Sequence, residues 1–406
     1  MTESDGYVLL ALFLVPLGTS VLLMAVPSRE RAIVMGLTGL SSIAMMVMAL
    51  YVFVSYSFND GSQFEGVLAF DWMENVGFLG EHGIQLKVGI DGITASLVLL
   101  TGIVIVPGTW VSWKVQHRMK DFFILLYLVT AGVFGVFVLL DLFFWFLAYE
   151  VALLPMYQLI VVWGSTRKEY GSMKLMMMLM AGSIFIFTVI FALYTEVGQG
   201  TFDMEVLLNA DKGENFQKVF FPLVAIGCGV LGAMFPFHSW SPDGHASAPT
   251  AVSMLHAGVL MKVGAFGVLR LGFQMMPEGG AYWGPALVVL GITAALYGAI
   301  SALRQTDMKL LMGFSSVSHM GLRLRRPRCV QLDRLDRRRP PDDRPRSDDG
   351  SLLPPHRWHV RPVAQPRAAE LLRHGEADAH LDDLLRVCRD GIPRFAGPQW
   401  VRGRAP

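Results

Sequence analysis

Apolar stretches alternate with short polar segments along the first 322 residues of the chain. A helix that crosses a bilayer needs about 20 mostly apolar residues, and ten stretches approach this length, the last of them cut short. They cover residues 7–26, 32–55, 90–112, 122–140, 142–163, 175–195, 219–237, 249–271, 283–303 and 308–322. The first lacks the basic start and the cleavage site of a signal peptide, so we expect it to be retained. The pattern predicts an all-α, polytopic transmembrane helical bundle.

The charges of the connecting segments alternate from one side of the predicted membrane to the other. The segments after spans one, three, five and nine carry ten basic residues, and the opposite side carries four. The ten are Arg29, Arg31, Lys114, Arg118, Lys120, Arg167, Lys168, Lys174, Arg304 and Lys309. Because basic loops stay in the cytoplasm, we expect a multi-pass protein of the cell inner membrane with its N-terminus on the outer (periplasmic) side.

The composition narrows the function classes. Of the 406 residues, 53% are hydrophobic and only 17% are charged, which excludes an ordinary soluble enzyme. Three scattered cysteines cannot frame disulfides, and no CxxC pair is present to hold zinc or an iron–sulfur cluster. No glycine-rich nucleotide motif is present either. We therefore expect no cofactor in this chain and no nucleic-acid partner.

Four ionisable residues interrupt the apolar spans, and such residues are functional candidates because charge is costly in a bilayer. Glu150 lies in span five, His256 and Lys262 in span eight, and His319 in span ten. Residues of this type, with no metal-ligand spacing and no nucleophile triad, indicate proton transfer. The structural alternatives are a snorkelling carboxylate for Glu150, an ion pair for Lys262 and hydrogen-bonded core histidines.

The segment FPFHSWSPDGHASAPTAVSMLH interrupts helical periodicity with Pro236, Pro242 and Pro249. Non-helical backbone at membrane depth is tolerated where it is buried or lines a wet cavity, and broken helices often mark transport sites. The alternative is an ordinary Pro-rich loop between spans seven and eight.

Four motifs together resemble one family. They are VGIDGITASLVLLTG, FFWFLAYEVALLPMY, FPFHSWSPDGHASAPTAVSMLHAGVLMKVGAFG and TDMKLLMGFSSVSHMG, in this order. They resemble subunit M (mitochondrial chain 4) of the proton-pumping NADH:quinone oxidoreductase, respiratory complex I. Multi-subunit cation/proton antiporters share the Glu, the broken helix and the Lys, and remain the alternative. A non-catalytic membrane scaffold is the alternative of another class.

The resemblance implies an antiporter-like proton channel with broken helices and inverted repeats, cut off here at about ten of fourteen helices. It implies that Glu150, Lys262 and His319 transfer protons. It also implies a translocase that contains no redox centre in this chain, with NADH, FMN, iron–sulfur clusters and quinone held by other subunits. The implied partners are other complex I membrane subunits, especially neighbouring antiporter-like subunits, together with the lipid bilayer and protons.

One position departs from the family pattern. The family carries a lysine on the seventh helix that pairs with the glutamate matching Glu150, and Leu231 occupies that position here. We expect His256 or His238 to replace the lysine, because both lie near the broken helices and can carry charge.

Residues 323–406 differ in composition from residues 1–322, which form the antiporter-like domain. They contain 19 Arg and 11 of the 21 prolines, but no Lys or Met. The tail could be a disordered basic arm, a nucleic-acid-binding segment or an out-of-frame translation. Read from the second base of each codon, the residues from Gly391 onwards can encode ASLGLPGLSGFVAEL, which resembles the family's twelfth-helix motif. We expect a frameshift near Gly321 to Arg323, and a 406-residue product that does not assemble into an active complex.

Overall fold

The computed structural model describes residues 3–27, 29–56, 63–73, 83–165, 167–198 and 200–323. The predicted out-of-frame tail lies outside the described residues, apart from its first residue. The first six long helices are α1 (Glu3–Ala25), α2 (Arg31–Ser55), α3 (Gly92–Ser112), α4 (Met119–Val138), α5 (Leu142–Trp163) and α6 (Lys168–Val197). The short α7 (Met204–Asn209) leads to α8 (Glu214–Leu231), and α9 (Trp240–Ser247) follows a 3₁₀ turn at Phe237–Ser239.

The next membrane helix, Thr250–Gln274, is not uniformly α-helical. It consists of α10 (Thr250–Leu255), a π-helical turn (His256–Leu260), α11 (Met261–Gly267) and a second π-helical turn (Val268–Gln274). The described chain ends with α12 (Pro277–Leu303) and α13 (Met308–Arg323). The predicted all-α fold is thereby confirmed, and this is a multi-pass membrane protein.

Eight of the described helices are long and apolar enough to cross a membrane. Predicted spans seven and ten, which correspond to α8 and α13, are not among these eight. The central helix is α4, and 78% of its apolar 18-residue stretch is buried among the other helices. It packs between α1 and α5, so the interior of the bundle lies around it.

Span seven is shorter than the sequence predicts. The expected span reached residue 237, but α8 ends at Leu231 and the chain turns immediately afterwards. Ala233 adopts a left-handed conformation with φ of 49°, and Pro236 has no N–H with which to continue a helix. The break therefore begins inside the predicted span, and it places His238 in a bent connection.

A two-stranded antiparallel hairpin lies on the side opposite the basic loops. Strands β1 (Glu65–Met73) and β2 (Ile84–Ile90) form it, within the segment that connects predicted spans two and three. The Leu140 N–H donates to the Lys87 carbonyl at 2.8 Å, which joins β2 to the α4–α5 connection. Asp91, Asp141 and Asp203 N-cap α3, α5 and α7 respectively on this same face. We call it the hairpin face.

Candidate proton-transfer site

The carboxyl group of Glu150 lies in the middle of α5, as the sequence predicts. Its Oε1 atom is buried and has no hydrogen-bond partner among the described residues. Ser183 of α6 lies within reach of the carboxyl. The preceding residue, Tyr149, is 2% exposed, and its hydroxyl also has no partner among the described residues. This half-buried carboxyl group thus lies beside a second buried group that can hold a proton.

The ammonium group of Lys262 is held by the backbone of its own helix. Lys262 lies in α11, between the two π-helical turns. Its Nζ donates to the Ala257 carbonyl at 2.9 Å and to the Gly258 carbonyl. Both acceptors belong to the first π-helical turn, and π turns recur at functional sites in helices. The backbone therefore stabilises a positive charge inside the membrane helix.

His256 is buried in a cluster of aromatic rings. It is 1% exposed, and its ring stacks on Trp240 with 5.0 Å between centroids and 14° between planes. The ring of His245 lies 4.6 Å away, and His245 Nδ1 is 3.0 Å from the Ser253 hydroxyl. Nδ1 of His256 has no hydrogen-bond partner among the described residues.

A small cavity is lined by both His256 and Leu231, the residue that departs from the family pattern. It is lined by Tyr149, Leu153, Met156, Leu179, Leu231, His256 and Leu260. The volume of this cavity is about 10 Å³, which is close to the space needed for one water molecule. Leu231, at the position where the family has a lysine, therefore shares a cavity with His256 and with the neighbour of Glu150.

His238 lies in a different environment. It is 8% exposed, and its ring stacks on Phe235 at 5.5 Å and contacts Tyr297 of α12 edge-on at 4.7 Å. It does not line the cavity that contains Leu231. Of the two histidines considered as substitutes for the missing lysine, the structure places only His256 beside Leu231.

His319 lies apart from these groups. It is on α13, and its side chain is exposed. The neighbouring Ser318 donates from its hydroxyl to the Ala295 carbonyl of α12 at 2.9 Å, which orients α13 against α12. The structure therefore gathers Glu150, Tyr149 and His256 in the bundle interior and leaves His319 on an outer surface of the described chain.

Three contributors to this region were not singled out from the sequence. Tyr149, Trp240 and His245 all lie inside motifs that the sequence analysis quoted, but their burial depends on helices distant in the chain. His245 carried a signal, because it is one of three histidines within the Pro-rich segment and the start of the next helix. The described residues contain no group of three or more His, Cys, Asp or Glu that could hold a metal ion.

An ion pair anchors the broken segment to α6. Lys174 Nζ lies 2.7 Å from Asp243 Oδ2 of α9. A Cβ at Gly171 would collide with the Ser247 hydroxyl, so α6 and α9 can approach this closely only with glycine at that position. These contacts fix the short helix that carries His245.

The hairpin face carries a second set of charges, and there the charges are paired. Lys87 Nζ lies 2.7 Å from Asp203 Oδ2 and 2.9 Å from Glu205 Oε2. Arg270 Nη2 lies 2.6 Å from Asp91 Oδ2. Burial raises the pKa of Asp141 to about 6, although the backbone N–H groups of Phe144, Gln85 and Phe143 counteract this.

Comparisons with known proteins agree on one family. The family model described as NADH:quinone oxidoreductase/Mrp antiporter, transmembrane, matches residues 140–327. A NAD(P)H-quinone oxidoreductase chain 4 of Picosynechococcus sp. is 34% identical over 314 residues, which is 77% of this chain and 56% of the relative. A chain 4 of Nostoc sp. is 33% identical over 78% of this chain and 56% of its own length. The chain thus spans little more than half the length of the curated relatives it matches.

Solved structures share the fold. A chain of respiratory complex I from Thermus thermophilus with bound NADH matches with a TM-score of 0.67 and 25% identity, over 77% of this chain and 63% of that one. A chain of the Mrp complex from Dietzia sp. matches with a TM-score of 0.63 and 22% identity, over 79% of this chain and 34% of that one. The second match concerns the fold alone.

Proposed function

We propose that this chain, which belongs to the chain 4 (subunit M) branch of the NADH:quinone oxidoreductase/Mrp antiporter family, translocates protons across the cell inner membrane. In this proposal, NADH, FMN, iron–sulfur clusters and quinone are bound by other subunits, and electron transfer there drives proton transfer here. The observation that carries the proposal is Lys262, a cation inside a membrane helix whose ammonium is held by two carbonyls of a π-helical turn.

Proton transfer in this chain would use Glu150, His256 and Lys262. A lysine held by backbone carbonyls is stabilised while charged, and an acidic or imidazole group nearby can take its proton when the local field changes. His256 supports the role of intermediate carrier because it shares a cavity with Leu231 and Tyr149. His319, on the exposed side of α13, would connect this set to neighbouring helices, and His238 would be the alternative carrier at the broken segment.

The partners would be further antiporter-like membrane subunits of the same complex. The ten basic residues of the connecting segments favour a cytoplasmic position for that side and an outer N-terminus. Protease accessibility of the hairpin face in right-side-out and inverted vesicles tests this orientation.

The decisive test compares Lys262→Met with Lys262→Arg in inverted membrane vesicles. We expect Lys262→Met to lower NADH-driven proton uptake by roughly a hundredfold, the scale on which a proton-transfer group contributes. Lys262→Arg keeps the cation but releases its proton far less readily, so it should retain the assembled complex with slow pumping. Quantifying the complex on native gels supplies the control. Full proton uptake with Lys262→Met would favour the scaffold alternative.

His256 is tested by restoring the lysine of the family. We expect His256→Leu to abolish proton uptake, and the double variant His256→Leu/Leu231→Lys to regain part of it, because the new ammonium would enter the same cavity. His256→Leu/Leu231→Met is the matched control without charge. His238→Leu should have a smaller effect. Unchanged uptake in both histidine variants would contradict the substitution of either residue for the lysine.

We also propose that residues 323–406 are read out of frame. The compositional change and the family-like text in the shifted frame support this. Resequencing the gene across the codons for Gly321 to Arg323 tests it, and the functional experiments use the gene as resequenced. A missing or extra base is the expected result, and an unchanged sequence would contradict the frameshift.

A further inference from the structure

The side chain of Asp91 makes two contacts in different directions. Its Oδ1 accepts hydrogen bonds from the N–H groups of Ile93 at 3.1 Å and Thr94 at 2.8 Å, which caps the N-terminus of α3. Its Oδ2 accepts from Arg270 Nη2 at 2.6 Å. This aspartate belongs to the GIDGIT motif, to which the proposed proton path assigns no role. A single carboxylate thus connects the start of one membrane helix to the end of another.

Arg270 is held firmly at the other end of this contact. Its side chain is 3% exposed, and its Nη1 donates to Gln274 Oε1 at 2.9 Å. The guanidinium carbon lies 5.0 Å from the ring centre of Phe64 and 5.3 Å from that of Phe266. Cations over aromatic faces are stabilised most where water is excluded. Arg270 is therefore fixed between the edge of the hairpin, α3 and its own helix.

Arg270 and Lys262 belong to the same helix, on the same stripe. They are eight residues apart, with Phe266 halfway between them, so positions i, i+4 and i+8 form one face. Along the axis they are separated by roughly 12 Å at the α-helical rise. The second π-helical turn contains Arg270 and follows directly after α11, which contains Lys262.

A π-helical turn accommodates one extra residue, so its presence sets the rotation of everything on either side of it. If the second π turn relaxed to α-helix, the residues on one side would rotate about the axis by roughly 100°, the angle per residue. Gly264 shows that this rotation matters, because a Cβ there would collide with the backbone of Gly232 and Cys228 in the α8 turn. The helix packs closely in the observed rotation.

We propose that Arg270 and Asp91 are positioning residues for Lys262: their ion pair fixes the hairpin-face end of the Thr250–Gln274 helix and thereby maintains the π-helical rotation in which the lysine is held by the Ala257 and Gly258 carbonyls. This inference rests on the proposed proton translocation. Neither residue takes part in proton transfer itself. The pair acts on the orientation of a group two helical turns away.

The experiment measures proton uptake per assembled complex, and its pH profile, for Arg270→Gln, Asp91→Asn and the double variant. Asn preserves an oxygen for capping α3, so Asp91→Asn removes the ion pair while retaining the cap. We expect each single variant to lower uptake about fivefold and to shift the pH profile, because Lys262 meets a different environment. The double variant should be no worse than either single one, since one interaction is lost in all three. Arg270→Lys should restore most of the uptake.

Lys87→Met is the matched control, because it also breaks a buried ion pair on the hairpin face but one that does not contact the Thr250–Gln274 helix. It should lower the amount of complex and leave uptake per complex and its pH profile unchanged. If Arg270→Gln does not accumulate, Asp91→Asn and Arg270→Lys decide the question. Wild-type uptake and pH profile in the accumulating variants would overturn the positioning role. Loss of pumping in Lys262→Met alongside that result would leave the proposed function standing.

Discussion

Buried polar groups have different surroundings in two regions of the molecule. One region is the hairpin face, and the other is the interior around α5 and the broken segment. On the hairpin face, Lys87 has two carboxylate partners, and Arg270 has one together with a side-chain amide. In the interior, Glu150 Oε1, the Tyr149 hydroxyl and Nδ1 of His256 have no hydrogen-bond partner among the described residues. Both regions contain costly groups. The hairpin face pairs the charged ends of Lys87 and Arg270 with carboxylates, although Arg270 Nε has no acceptor among the described residues, whereas the three interior groups have no such partner there.

This difference distinguishes charged groups that stabilise the fold from groups that can transfer protons. The two members of a buried ion pair keep their charge states, because neutralising either one leaves the other as an isolated buried charge. A group that must gain and lose a proton cannot be locked in this way, since its two protonation states need similar free energies. We interpret the ion pairs of the hairpin face as structural, and the interior groups without hydrogen-bond partners as those available for proton transfer.

The largest effect on stability should come from breaking the pair at Lys87. Burial lowers the pKa of this lysine, but hydrogen bonds to Asp203 and Glu205 outweigh burial and leave the pKa raised. Lys87→Met leaves the Asp203 carboxylate, 12% exposed, without its cation, and we expect a loss of about 3–5 kcal/mol in the free energy of unfolding. Thermal unfolding of the purified protein in detergent measures this loss.

The double variant Lys87→Met/Asp203→Asn supplies the control for that experiment. It removes both charges of the Lys87–Asp203 pair and leaves the Glu205 carboxylate, which is 45% exposed. Asn still caps α7, so part of the stability should return. A surface pair such as Arg118 with Asp121, where both side chains are more than a third exposed, should matter little when broken. Equal losses of unfolding free energy at the two sites would contradict the distinction between buried and exposed ion pairs.

Asp141 tests the same comparison, because it is buried on the hairpin face without a basic partner among the described residues. It is 1% exposed, and burial raises its pKa from 3.8 to about 6. A carboxyl whose folded pKa is raised contributes stability at low pH, below about 4, and this contribution is lost as the pH rises through about 6. The difference between a pKa of 3.8 and one of about 6 corresponds to roughly 3 kcal/mol.

Asp141→Asn should remove this pH dependence while retaining the cap on α5, since the amide oxygen can accept from Phe143 and Phe144. The measurement is the unfolding midpoint between pH 4.5 and 8 for both proteins. The wild type should lose stability relative to the variant as the pH rises. Parallel curves would mean that Asp141 is not the titrating group.

The sequence predicted the long helices correctly and missed the features that depend on a single residue. Apolar stretches of membrane length are unambiguous, so helices such as α2 and α5 lie where the pattern placed them. The hairpin was missed although IQLKVGI alternates in polarity, because the segment lies between predicted spans two and three and was interpreted only as their connection. The π-helical turns around Lys262 add one residue each, which no periodicity over so short a helix reveals.

The site was predictable in kind but not in arrangement. Glu150 and Lys262 are conspicuous because charge is rare in apolar spans. The choice between His256 and His238 could not be made from the sequence, since both lie near the broken segment. Contacts with Leu231 on one side and with Tyr297 on the other distinguish them, and both depend on helices far away in the chain.

The smallest expected effect, and the most direct comparison, concerns two fully buried tyrosines. The Tyr127 hydroxyl donates to the Thr38 carbonyl, whereas the Tyr149 hydroxyl has no partner among the described residues. Tyr127→Phe should cost about 1 kcal/mol because the Thr38 carbonyl loses its donor, and Tyr149→Phe should change stability by less than about 0.5 kcal/mol. The two substitutions are chemically identical, so the difference between their thermal unfolding midpoints measures the contribution of the hydrogen-bond partner. A cost at Tyr149 equal to that at Tyr127 would mean that the interior hydroxyl is satisfied, and that this part of the bundle is as locked as the hairpin face.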